Sequence, residues 1–116
     1  MALNDTCLNI GATAMKNAIT HLSLASADPG AAGTANPTSA ARQPVTWGTV
    51  ATGDFSLGAN VNFTLGLANG AVQYVCFWSA VTGGIFYGSQ ALSGDPNFNS
   101  NGEYTITALT VNGQST

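Results

Sequence analysis

The hydrophobic pattern changes period along the chain. In residues 4–19, NDTCLNIGATAMKNAI, positions Leu8, Gly11, Ala12, Met15, Ala18 and Ile19 fall at helical spacing and form one apolar stripe. Asn4 or Asp5 is suited to accept hydrogen bonds from the free N–H groups of the first turn. The spacing predicts a short helix over 3–19. Its stripe is thin, and Gly11 costs about 1 kcal/mol of helix propensity, so the helix needs a surface to lean on. HLSLAS then alternates Leu22 and Leu24 with polar neighbours, a strand pattern. His21 stands where helix gives way to strand, and a helix C-terminus favours a cation, which reads as a capping or structural histidine.

Residues 26–44, SADPGAAGTANPTSAARQP, have no period. Asp28-Pro29-Gly30 is a turn: proline fixes φ and glycine takes a positive one. A loop this long in a short chain predicts an extended arm that docks on a neighbour. From Val45 the chain alternates with strand period. VTWGTV, DFSLG and ANVNFTLGL set Val45 and Trp47, then Phe55 and Leu57, then Val61, Phe63 and Leu65 on one side. Asn69-Gly70 is the strongest hairpin signal. AVQYVCFWSA is apolar on nearly both faces, as in a central strand covered on both sides. Thr82-Gly83-Gly84 predicts a hairpin turn into IFYGSQAL, with Phe77, Trp78, Phe86 and Tyr87 pairing across it. After a second Asp-Pro turn at Asp95-Pro96, EYTITALTV predicts a closing strand with Tyr104, Ile106 and Ala108 on one face and Leu109 and Val111 on the other. The expected fold is mainly β, an antiparallel β-sandwich (Ig-like or jelly-roll-like) over 45–111, with one short N-terminal α-helix and a long loop arm, in one domain spanning 1–116.

Composition narrows the function. Apolar residues make up 45%, enough for a packed core and against disorder. Charged residues make up 6%, against about 25% in an ordinary soluble domain. Lys16 and Arg42 cannot supply the phosphate contacts of a nucleic-acid binder, and no basic face suits a membrane surface. No apolar run approaches the ~20 residues that span a bilayer, and MALNDTCLNIG lacks the pattern of a secretory signal. A neutral Ser/Thr/Asn/Gly surface suits an assembly in which neighbours cover it.

Candidate chemistry is sparse. Cys7 and Cys76 lack zinc spacing; two buried thiols are the favoured reading, with a disulfide the alternative. His21 has no nucleophile elbow to serve. Asp5 reads as a cap, Asp28 and Asp95 as turn residues, and Glu103 as a strand start. Asp95, Asn97, Asn99 and Asn101 supply enough oxygens for a weak calcium site, but such loops are usually turns. No catalytic residue, cofactor or metal site is expected, and a hydrolase built on His21 and Asp54 ranks last.

The order HLSLASADPG, ARQPVTW, FWSAVTGGIFYG, NGEYTITALTV resembles small virion proteins of tailed phages infecting actinobacteria, of the tail-fibre-like or minor structural kind. The resemblance runs from Leu3 to about Val111. Members carry His-Thr where Ala25-Ser26 stands here, and a Gly before Leu-Trp where Cys76-Phe77 stands. The resemblance implies a non-enzymatic virion subunit on the particle surface, tail-fibre-like or decorating the capsid, contributing to host attachment. Its implied partners are a major capsid or tail protein and copies of itself, with no nucleic acid and no membrane. The expected assembly interface is Pro29, Pro37, Arg42 and Met15 on the arm and helix. The alternative is a module that binds a host cell-wall glycan through Tyr74, Trp78, Tyr87, Asn97 and Asn99, because sugars stack on exposed rings beside amide side chains.

Overall fold

Asn4 caps the helix α1, Asp5–Ala18: its side chain accepts from the Cys7 N–H at 3.0 Å. Asp5 in the first turn and Lys16 in the last complement the helix dipole. The stripe faces inward as expected: Ala12 is fully buried and Leu8, Met15 and Ala18 are half-buried, although Gly11 is exposed. The surface this weak helix leans on is β3. The structure is a computed structural model and describes residues 3–112.

Eight strands follow: β1 His21–Ala25, β2 Gln43–Pro44, β3 Asp54–Ser56, β4 Val61–Phe63, β5 Tyr74–Trp78, β6 Phe86–Ala91, β7 Tyr104–Ile106 and β8 Thr110–Asn112. They form one four-stranded antiparallel sheet in the order β2-β1-β5-β6 and two antiparallel pairs, β3-β8 and β4-β7. The body is mainly β, sandwich-like, with the one helix at its N-terminus.

Strand alternation decides what lies on each face of the large sheet. Leu22, Leu24, Val75 and Phe77 point into the main core, which Phe55, Val61, Phe63, Tyr104, Ile106 and Leu109 complete from the two small ladders. Burying one such side chain stabilises by about 1.5–3 kcal/mol. Ala25, Cys76 and Trp78 point to the opposite face and are buried too. The expectation of a central strand covered on both sides thus holds for β5.

The second cover is the segment expected as an arm, and this corrects that expectation. Residues 26–44 fold back across the sheet. The Ser26 N–H donates to Asn36 O at 2.9 Å, Thr38 donates to Leu24 O through both N–H (3.3 Å) and Oγ1 (3.1 Å), and β2 pairs with β1. Gly33 lies so close on the Phe86 ring that no Cβ would fit. The small residues that resemble a flexible linker in sequence are what allow this close approach.

Four further local expectations are corrected. Asn69-Gly70 makes a turn, closed by the Gly70 N–H on Leu67 O at 2.8 Å, but not a hairpin, because β4 and β5 belong to different sheets. Gly83-Gly84, by contrast, lies in a hairpin loop between the antiparallel β5 and β6 as expected, and Ser79 and Ile85 close that loop. A bulge there pairs Phe77 with Gly88 and Trp78 with Phe86, leaving Tyr87 extra. Of the expected cross-strand rings, Trp78 and Phe86 meet at 5.1 Å, whereas Phe77 turns to Trp47 at 6.5 Å. EYTITALTV breaks into β7 and β8 in two different sheets, which turns Leu109 inward with Tyr104 and Ile106. Both cysteines are free, Cys76 buried but Cys7 exposed on the helix.

Candidate functional site

Both Asp-Pro sequences are side-chain-to-backbone turns. Asp28 Oδ1 accepts from the Gly30 N–H at 2.9 Å and Asp95 Oδ1 from the Asn97 N–H at 3.0 Å. Asn99 Oδ1 accepts from the N–H groups of both Asn101 and Glu103, each at 2.9 Å. Two of the oxygens considered for calcium, Asp95 Oδ1 and Asn99 Oδ1, are therefore committed to backbone donors. Among the described residues, no three of His, Cys, Asp and Glu gather as a metal site would need. His21 Nδ1 lies 2.9 Å from Thr20 Oγ1, and Asp54 stands in a different sheet. Among the described residues no helix is long and apolar enough to cross a membrane.

Three of the concave surfaces among the described residues bear on function. Beneath the folded-back segment is a pocket of about 310 Å³. Arg42 closes it: its guanidinium carbon lies 3.6 Å from the Trp78 ring centre, and Nη1 donates to Ala80 O (2.9 Å) and Gly83 O (2.7 Å). Trp78 Nε1 donates to Ser23 Oγ at 2.9 Å. Burial pushes the Cys76 thiol pKa up, an effect that Ser23 and the Arg42 charge oppose. A mixed lining of small apolar residues, hydroxyls and one ring, with a thiol held protonated and a committed guanidinium, holds a loop down; it does not make a nucleophile.

The second surface is a polar groove of about 390 Å³ at the loop end of the molecule. Asn62, Asp95, Asn99, Glu103 and Thr105 line it, with Tyr104 behind them. Each side chain is fixed. Thr105 Oγ1 donates to Asn62 Oδ1 (2.8 Å), Asn99 Nδ2 donates to Glu103 Oε1 (3.2 Å), and the Tyr104 hydroxyl donates to Asp95 O (2.7 Å). Burial, and secondarily the Asp95 charge, pushes the Tyr104 pKa up. Rigid carboxylates and amides around a shallow groove suit a ligand rich in hydroxyls.

The third is an apolar groove of about 590 Å³ between α1, β6 and β8, with Met15, Ile19, Phe77 and Val111 around it and Tyr87 at its rim.

The residues expected to act together fall apart. Pro29 is fully buried against its own chain, Arg42 is half-buried and bonded to main-chain carbonyls of its own fold, Pro37 is exposed, and Met15 borders the apolar groove. Trp78 is 7% exposed, which corrects its use as a stacking platform. Tyr74 is half-buried beside it, Tyr87 lies at the apolar groove, and Asn99 lines the polar groove. Asn97 gives Nδ2 to Asn69 O at 3.1 Å, tying the two loops together. Sequence reasoning missed Asn62, Glu103 and Thr105 as groove residues; the signal was the polar alternate face of β4 and β7, which only their pairing brings together.

A family model described as podophage GP4 fiber I protein gp80 matches residues 2–114. The chain belongs to this gp80 fibre family. No curated protein matches it. Membership of the gp80 family makes the chain a phage fibre structural protein associated with the virion. It supports the fibre-like part of the resemblance and gives no support to an actinobacterial host.

Proposed function

We propose that the protein is a non-enzymatic subunit displayed on the particle surface, held there by another virion protein, where it contributes to attachment. The match to a fibre family across residues 2–114 carries this reading. The geometry supports it in part: Asp28, Asp95 and Asn99 are used in turns and Arg42 in loop closure, as a scaffold requires. Electron microscopy of the particle tests it: density for this chain is expected at a surface projection anchored on a capsid or tail protein. Its absence from mature particles overturns the reading.

The polar groove favours a second role, recognition of a host cell-wall glycan. Sugar hydroxyls pair well with fixed carboxylate and amide oxygens, and the groove has them without the cationic charge that would select an anion. Calorimetric titration with fragments of host wall polysaccharide is expected to show binding that Asn62→Ala with Glu103→Ala weakens at least about tenfold, equivalent to 1.4 kcal/mol. A flat titration removes the role.

A further inference from the structure

The four-stranded sheet ends differently at its two edges. β2 is two residues long, contains Pro44 and follows Arg42. Proline offers no N–H, and a charge beside an edge discourages pairing, so this edge is guarded. β6 is the longest strand, Phe86–Ala91, with neither proline nor charge. Between Asp54 and Asp95 the chain contains no Asp, Glu, Lys or Arg at all. Among the described residues β6 pairs with β5 alone and ends the sheet. Such an edge is a template for another strand.

The ground beside it is apolar. Gly88 stands opposite Phe77 and has no side chain to cover it, which among the described residues leaves the groove between β6 and α1 open. Tyr87, the extra residue of the bulge, stands 46% exposed at the rim. Among the described residues, a free edge, an uncovered groove and an exposed ring thus share one side of the molecule.

We propose that β6 is the contact between two copies of this chain. The strands pair antiparallel across a two-fold axis, two four-stranded sheets become one continuous sheet, and Tyr87 of each copy covers the groove of the other. A second copy is the occupant because the surface is self-complementary. A two-fold axis brings the same segment onto itself, which for most charged edges is repulsive and here is not. The ring that needs covering and the groove that needs filling are on the same protomer, so each copy supplies what the other lacks. This goes beyond the place on the particle proposed above and does not depend on it.

The test uses the full chain in solution. Light scattering after size exclusion and sedimentation velocity, over about a hundredfold range of concentration, are expected to show a dimer. Ser89 and Ala91 are exposed positions of β6, so Ser89→Lys with Ala91→Lys is expected to give a monomer with an unchanged circular-dichroism spectrum. Tyr87→Ala is expected to weaken the dimer at least about tenfold. Amide exchange supplies an independent reading: the outward N–H groups of β6 are protected in the wild type and lose protection on dilution. A wild-type monomer throughout, or an oligomer indifferent to the lysines, overturns the proposal. If the lysine variant does not fold, rapid exchange at those amides in concentrated wild type overturns it equally.

Discussion

At Gly102 the backbone takes φ +74°, and a Cβ would press on the Gly66 carbonyl, which is main chain and cannot step aside. Gly83 also has a positive φ, +61°, but open space around it. The comparison separates backbone strain from collision. Gly102→Ala is expected to cost about 3 kcal/mol, and Gly83→Ala about 1 kcal/mol. In thermal melts that is a loss of about 10–15 °C against about 5 °C. Equal losses would mean that backbone strain alone, and not collision with the Gly66 carbonyl, sets the cost at Gly102. Titration gives a second prediction at this scale. Folding raises the pKa of the Cys76 thiol above its ordinary 9.0 and of the Tyr104 phenol above its ordinary 10.0. Both groups are neutral when protonated, so the unfolded chain releases these protons first. Their stabilising contribution is complete below the ordinary values and is lost as pH rises through the folded ones. Guanidinium melts are expected to show stability falling from about pH 9 upward. Tyr104→Phe is expected to cost about 1 kcal/mol at neutral pH, from its hydrogen bond to Asp95 O, and to flatten the fall above about pH 10.

Among the elements, the folded-back segment between β1 and β2 depends on one side chain at its end. Arg42 stacks on Trp78 and bonds two carbonyls of the β5–β6 loop. A stacked cation contributes about 0.5–2 kcal/mol and each charge-assisted bond about 1.5 kcal/mol. Arg42→Ala is therefore expected to lose about 2–4 kcal/mol and to redden Trp78 emission as the ring meets water. Arg42→Lys keeps the charge but not the planar stack, and is expected to recover only part of this. The same segment shows where sequence ceases to report structure. Asn4, the α1 stripe, the Leu22/Leu24 alternation and the two-faced β5 were legible because each is written in consecutive residues with a local rule. The docking of residues 26–44 was not, since Gly33 against Phe86 is a contact between small and large residues 53 positions apart. The polar groove was hidden for the same reason: Asn62 and Thr105 become neighbours only when two three-residue strands, β4 and β7, find each other. Strands that short carry a weak period, and Asn69-Gly70 between them suggests a hairpin that the pairing overrides.

For the molecule as a whole, the scarcity of charge governs how it can be held. The body measures 47 × 26 × 23 Å, and its whole sequence offers two basic and five acidic side chains. One of the two cations, Arg42, is committed to main-chain carbonyls of its own fold. The proposed contact with the rest of the particle is then expected to rest mainly on apolar burial and neutral hydrogen bonds. Salt and chaotrope distinguish these forces. At about 1 M salt the screening length falls to about 3 Å, which removes attraction between exposed charges and leaves apolar contacts intact or strengthened. Guanidinium weakens apolar and peptide contacts together. Particles washed in about 1 M sodium chloride are expected to retain this chain. Moderate guanidinium, below the midpoint at which the isolated chain unfolds, is expected to release it folded. Quantitative mass spectrometry of the washed particles against the supernatant reads the outcome. Release by salt alone would mean that the few charges are concentrated at the attachment point, with Lys16 and the exposed acids as the residues to substitute next.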